Sequence, residues 1–390
     1  MMKRIIFGKG GFMDFLNSLV GSINDFLWTY IIIVVLVGSG LWFTLSTGLV
    51  QLRALPEMVR LLAGDLGRRP SGRKAISSFQ AFCVSTASRV GVGNIAGVAI
   101  AIVTGGPGAV FWMWVIAFIG TATGFVESTL AQIYKISRGH GLFHGGPAYY
   151  IQNALGQPAV AKLFAVLISV TFGLIYVSVQ ANTIALSMQK AFGIDTWVMG
   201  AVLAILSGAV IFGGIQRVAN FSTLLVPVMA GIYLLIAAII IVLHIDQVPA
   251  MFALILHDAF SPQAAVGGGI GTAILTGIRR GLFSNEAGEG SIPNAAATAN
   301  VTHPVKQGLV QAFGVYVDTW IVCSATAFIV LLTGQYTIGG DTTGIALAQD
   351  SLASVFGPWA SSLLAVLIFL FAFSSVVGNY YYGEINIHFI

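Results

Sequence analysis

Long apolar runs dominate the chain, and their spacing sets the first reading. A helix that crosses a bilayer takes about 20 mostly apolar residues. Nine runs of that order occur, over 27–50, 77–103, 107–134, 160–189, 197–215, 221–244, 266–299, 308–333 and 358–382. The pattern predicts an all-α polytopic membrane protein, a single transmembrane domain over 1–390. The first run starts too far in, and is too long, for a signal peptide, so it is expected to be retained.

Two runs are interrupted by glycine. The second contains "RVGVGNIAGVA", Arg89 to Ala99, and the seventh contains "RRGLFSNEAGEGSIPNAA", Arg279 to Ala296. Gly91-x-Gly93-x-x-Ala96 fits a dinucleotide-binding fingerprint, but no strand precedes it and no acidic residue stands about 20 positions on. A broken membrane helix is the better reading. The break frees carbonyls at the end of the first half and N–H groups at the start of the second. Carbonyls suit a bare cation, and N–H groups suit a carboxylate. The interrupted runs are five apart, so they enter the membrane from opposite sides. Broken helices at matching places in oppositely oriented halves point to a secondary transporter's binding site. Glycine used only for close helix packing is the plainer alternative.

Composition agrees. The chain is 57% hydrophobic and 8% charged, with a mean hydropathy of +0.90, whereas a soluble domain carries about 25% charged residues. The net charge of +4 reads as a positive-inside bias and not as a nucleic-acid footprint. Arg53, Arg60, Arg68, Arg69, Arg73 and Lys74 share the loop 51–76. That loop is expected in the cytoplasm and the N-terminus outside, although Lys3, Arg4 and Lys9 then fall outside as well. Alternation places Lys135, Arg138, Arg217 and Lys306 inside, and outside it places Lys190 with the acidic Asp195, Asp246, Asp258, Asp341 and Asp350. The expected location is the cell (inner) membrane. Cys83 and Cys323 read as small buried hydrophobes.

Charges inside the bilayer are costly and mark function. Arg89, Arg279, Arg280, Glu127, Glu286, Glu289 and Asp318 are of this kind. Glu127 and Asp318 either serve a ligand or pair with the arginines, whereas Glu286 lies within the second break and is favoured for function. Gln180 and Asn182 either face a substrate or bond a neighbouring helix. Ser374 and Ser375 either face a ligand or bond back to their own helix. His140 and His144 have no acidic partner, so a metal site is not expected there. No nucleophile–base pair or metal cluster suggests an enzyme.

The stretches "GGPGAVFWMWVIAFIG" (Gly105–Gly120), "GGPAYYI" (Gly145–Ile151) and "GLFSNEAGEGS" (Gly281–Ser291) resemble the alanine/glycine:cation symporters, the sodium:alanine symporter family. The resemblance covers nearly the whole chain. It implies sodium- or proton-coupled uptake of small neutral amino acids, chiefly alanine and glycine, with no cofactor beyond the coupling ion. It also implies a LeuT-like fold of two inverted five-helix repeats. An extra N-terminal helix would then occupy 27–50, the first repeat 77–245, and a partial second repeat of three helices 266–382. Nine spans against the expected eleven suggest that the last two core helices are lacking. Carried over by position, the resemblance assigns Val92, Gly93, Asn94, Gln180, Phe283, Ser284, Glu286, Gly288 and Gly290 to substrate binding. It assigns Ala87, Val90, Ser374 and Ser375 to a sodium site. The chain departs from the family at Val92, where threonine is common, and at Glu289, where methionine is common. A channel, or a truncated protein of the same fold that does not transport, is the alternative. Oligomeric state is left open by the sequence.

Overall fold

The computed structural model describes residues 11–66, 75–261 and 271–390, which are helical nearly throughout. The cationic residues Lys3, Arg4, Lys9, Arg68, Arg69, Arg73 and Lys74, and the first positions of the run 266–299, lie outside the described residues. Helix α1 (Met13–Ser46) leads through a single turn to α2 (Leu55–Gly64). Helices α3 (Ser78–Arg89) and α4 (Gly93–Gly105) form one pair bent by 52°. Then come α5 (Gly108–Ile133), a short hairpin of β1 (Ile136–Ser137) and β2 (Phe143–His144), and α6 (Pro147–Leu155). They are followed by α7 (Pro158–Phe192), α8 (Thr196–Ile211), α9 (Gly214–Leu243) and α10 (Val248–Ala259). A second broken pair, α11 (Thr272–Asn285) and α12 (Ile292–Thr298), precedes α13 (Pro304–Thr333), α14 (Gly344–Phe356) and α15 (Trp359–Ile387).

Among the described residues, α1, α5, α7, α9, α13 and α15 are long and apolar enough to cross a membrane, and α3 with α4 makes a seventh span. The protein is a multi-pass membrane protein. Several boundaries differ from the hydropathy pattern, among them the start of α9 at Gly214 instead of 221 and the end of α15 at Ile387 instead of 382. Helix α1 starts at Met13 instead of 27, because Asn17, Asn24 and Asp25 interrupt the apolar run without interrupting the helix. Helix α8 stops at Ile211, and the chain turns at Gly214 with φ +69°. Helices α2, α6, α10 and α14 were not expected. Each is shorter than a span, so apolar run length could not reveal it.

Packing encloses the broken pairs. Helix α5 lies along α11, α12 and α13, with α1 on its outer side. Helix α15 lies along α3, α7, α9 and α14. One apolar core joins Ile102, Tyr233, Val330 and Phe371, and another joins Val84, Phe172, Ile184 and Tyr382. At one end of the molecule Asn300 donates its N–H to the Ile76 carbonyl at 2.9 Å and Lys135 donates to Ala299. At the other, Lys190 pairs with Asp350 at 2.7 Å, and Asp258 accepts the Gly108 N–H at 2.7 Å. Lys135, after α5, thus meets the residues that follow α12 at one end, opposite to Lys190 and Asp258.

Close packing of α5 on α11 requires glycine. A Cβ at Gly277 would lie 2.4 Å from the Ala109 carbonyl oxygen and 2.6 Å from the Trp112 Cβ. Gly277→Ala is expected to destabilise the protein by about 1–3 kcal/mol through overpacking. A thermal melt in detergent reads this as a lower midpoint, and an unchanged midpoint would mean that α5 and α11 yield freely.

Candidate functional site

The first break begins where α3 ends. Ser77 caps α3 in a reciprocal arrangement with Gln80, and the helix runs to Arg89. Val90 then leaves the helical region at φ −78°, ψ 89°. The freed backbone groups are met by side chains, as burial in a bilayer demands. Gly91 donates its N–H to Asn94 Oδ1 at 2.9 Å, and Val92 donates to Gln180 Oε1 at 3.1 Å. The Asn94 carbonyl accepts from Thr326 at 2.7 Å. Gly91 has to be glycine, because a Cβ there would lie 2.4 Å from Ser375 Oγ and 3.0 Å from Gln180 Oε1. The first turn of α4, from Gly93, has no preceding turn to receive its N–H groups.

The second break follows α11. Glu286 adopts a left-handed conformation at φ 55°, and Gly288 and Gly290 follow at φ 90° and 84°. Asn285 Oδ1 accepts the Ala287 N–H at 3.0 Å, and Glu127 accepts the Gly288 N–H at 3.4 Å. Tyr176 donates its hydroxyl proton to Glu289 at 3.1 Å.

The breaks meet at Asp318. Asn94 Nδ2 donates to Asp318 Oδ1 at 2.7 Å, Ser284 to Oδ2 at 2.9 Å, and Thr319 to Oδ2 at 2.8 Å. One fully buried carboxylate therefore ties α4 to α11. Phe283 lies over Gly93, where an added Cβ would be 3.3 Å from its ring, and Tyr176 flanks it at a centroid distance of 5.3 Å. Val92, Gly93, Asn94, Gln180, Phe283 and Ser284 thus come together in one group.

Ser374 and Ser375 form a second group. Their hydroxyls reach the Ala87 carbonyl at 3.3 and 2.9 Å and also their own helix, at Phe371 O, at 2.8 and 3.1 Å. The bond back to their own helix is present, together with a bond across to α3. No hydrogen bond joins these serines to Val90 among the described residues. Glu286 belongs to neither group. Its carboxylate turns to Ser88 and Ser291. Gly288 packs against Leu36 of α1, and Gly290 against Phe164 of α7.

Pairing of Glu127 or Asp318 with an arginine is not seen among the described residues. Arg89 bonds Ser85 O and Gln311, while Arg279 faces Asp25 at 3.7 Å and Trp28 on α1. The sequence flagged Asp318 as an intramembrane charge without assigning it to the site. Tyr176 and Thr326 carried no signal at all, since a lone tyrosine or threonine in an apolar run is ordinary.

Residues 13–390 match the family model described as the sodium:alanine symporter family. The chain belongs to that family. It is similar to the amino-acid carrier protein AlsT of Bacillus subtilis (strain 168), 53% identical over 97% of this chain and 79% of that protein. It is 51% identical to the probable sodium/glutamine symporter GlnT of the same organism, over 96% of this chain and 78% of that protein. It is 39% identical to the sodium/alanine symporter AgcS of Methanococcus maripaludis, over 95% of this chain and 83% of that protein. The membership makes the chain a transporter and not an enzyme.

In this symporter the far end of α12 is also anchored. Gln132 Nε2 donates to Ala296 O at 2.5 Å and Ala299 O at 3.1 Å, and Lys135 Nζ donates to Ala299 O at 2.6 Å. Lys135 lies beyond the end of α5, and burial draws its ammonium down from 10.5 to about 8. As pH falls from 10.5, the unfolded chain takes up this proton before the folded one does. Stability from this position is therefore highest above that value and reaches its floor below about 8. Wild type is expected to gain thermal stability relative to Lys135→Met as pH rises from 8 to 10. A difference in melting midpoint that stays flat with pH would remove Lys135 as the group responsible.

Proposed function

We propose that the chain couples sodium entry to uptake of a small neutral amino acid, alanine or glycine, by alternating access. The observation that carries this reading is the pair of hydroxyls, Ser374 and Ser375, on the Ala87 carbonyl beside the first break. Sodium prefers oxygen ligands, and this place offers a carbonyl and two hydroxyls, with Val90, whose carbonyl is the further ligand proposed, three residues on where the helix has ended. The substrate carboxylate takes the start of α4 near Gly93 and Asn94, where N–H groups of the first turn are available. Val92, Gln180 and Ser284 line the same group, with Gly288 and Gly290 shaping the second break. Phe283 pressed over Gly93 supports a small side chain. The relatives named as sodium/alanine and sodium/glutamine symporters support sodium as the coupling ion. A relative named as a putative sodium/proton-dependent alanine carrier keeps the proton as a further coupling ion.

The same reading takes the fold as LeuT-like, with inverted repeats over 77–245 and 266–382 and an added helix before them. The broken pairs α3–α4 and α11–α12, packed on each other, support it. The end of the molecule that gathers Ile76, Lys135 and Ala299 faces the cytoplasm, on the strength of the basic residues in its loops.

Proteoliposomes holding the chain are expected to accumulate labelled alanine under an inward sodium gradient. Glycine should compete, and alaninol, which lacks the carboxylate, should not. Accumulation that ignores the sodium gradient would overturn the coupling, and inhibition by alaninol equal to that by alanine would overturn the carboxylate placement. Ser375→Ala removes one oxygen from a desolvated ion, a contact of about 1.5–3 kcal/mol. The sodium concentration for half-maximal uptake should rise about tenfold or more. An unchanged value in Ser374→Ala and Ser375→Ala alike would reduce both hydroxyls to bonds within α15.

A further inference from the structure

We propose that Arg280 forms an outer binding site for the carboxylate of the incoming amino acid, one helical turn outward of Phe283 and separate from the start of α4. Arg280 is an intramembrane charge that neither group above uses. Its neighbour Arg279 meets Asp25 and Trp28 on α1. Arg280 is half-buried and makes no hydrogen bond or ion pair with a described residue. Among the described residues, the charged group that acts on it is Arg279, a second cation. An unpaired arginine at membrane depth is costly, and such residues mark the paths of substrates and ions.

Contacts along α11 fix which way Arg280 faces. Gly277 and Gly281 pack on α5, against Ala109 and Met113. Thr276 packs on Gly105 at the end of α4, and Phe283 and Ser284 pack on Gly93 at its start. Arg280 stands one turn after Thr276 and one turn before Phe283 and Ser284, so it shares their face. It therefore lies over α4 between those two contacts. One turn beyond Gly93, α4 presents Gly97, and nothing packs on it. A Cβ there would find only the Val92 carbonyl oxygen, at 3.9 Å. Ile100 and Phe283 are half-buried, and Thr104 is exposed. The outer half of the seam between α4 and α11 is thus open down to Phe283, with Arg280 on its α11 wall.

A guanidinium offers paired N–H groups in a planar fork that matches a carboxylate. Beneath Phe283, the first turn of α4 offers N–H groups to the same carboxylate. One helical turn is about 5.4 Å, so the two anion sites are a short step apart with the Phe283 ring between them. The outer site selects for the carboxylate before the ligand enters, and the gap beneath Phe283 then selects for a small side chain. An amino acid too large for that gap stops at Arg280.

The inference rests on amino-acid uptake as proposed above, and two measurements separate the claims. The first is alanine uptake into proteoliposomes. Arg280→Gln is expected to lower kcat/KM at least about tenfold, chiefly through KM, with the sodium concentration for half-maximal uptake unchanged. The second is equilibrium dialysis of labelled tryptophan against the purified chain, since tryptophan has the carboxylate but not the small side chain. Tryptophan is expected to bind wild type and to lose at least about tenfold in affinity in Arg280→Gln, while tryptamine, which lacks the carboxylate, should not bind. Arg280→Lys keeps the charge without the fork and should fall between the two; this variant carries the test where Arg280→Gln does not fold. Tryptophan that fails to bind wild type, or binds wild type and both variants alike, overturns the outer site while leaving uptake intact. A wild-type KM for alanine in folded Arg280→Gln does the same. No alanine uptake by wild type overturns the reading on which the outer site rests.

Discussion

Backbone N–H and C=O groups inside a bilayer have no water to bond, and an interrupted helix there must find partners within the protein. Both broken pairs of this symporter are organised around that demand. At the first, Asn94 and Gln180 accept from Gly91 and Val92. At the second, Asn285 and Glu127 accept from Ala287 and Gly288. At each break one partner is local, Asn94 or Asn285, and the other comes from a different helix, α7 at the first break and α5 at the second. Each break is therefore fixed by the surrounding bundle as much as by its own glycines, and a shift of α7 or α5 would be felt there directly.

Asp318 connects the two local solutions. Its oxygens accept from Asn94 beyond the first break and from Ser284 just before the second. A charged acceptor with several donors forms stronger hydrogen bonds than a neutral one. Helix α13 thereby holds α4 and α11 at a fixed separation, with Phe283 against Gly93 between them. The gap so defined is what the proposed amino-acid site uses. Where the serine group meets Ala87, α15 is brought in as well, so ion and substrate groups share α3 and α4 as a common element.

Much of this was legible in the sequence, and the reasons differ by residue. Gly91, Gly93, Gly288 and Gly290 stand out because glycine clusters conflict with a continuous apolar helix. Ser374 and Ser375 could be noticed as polar residues in an apolar run, but only the family resemblance assigned them to a sodium site, since a serine in a helix more often bonds its own backbone. Helices α2, α6, α10 and α14 escaped because a search for spans rewards length. The direction of Glu286 could not be read, because its left-handed backbone turns the side chain toward Ser88 and Ser291 and away from Phe283. Tyr176 gains its role from a helix distant in sequence, and no local pattern announces that.

The central claim is that one carboxylate sets the geometry of the substrate gap by holding both breaks. Alanine affinity at saturating sodium, compared between wild type and Asp318→Asn, tests it most directly. The substitution keeps the shape and removes the charge that Asn94, Ser284 and Thr319 donate to. Bonds to a charged group are worth about 1.5–3 kcal/mol each, so the alanine dissociation constant should rise at least about tenfold. A folded Asp318→Asn protein that binds alanine with wild-type affinity would contradict the account.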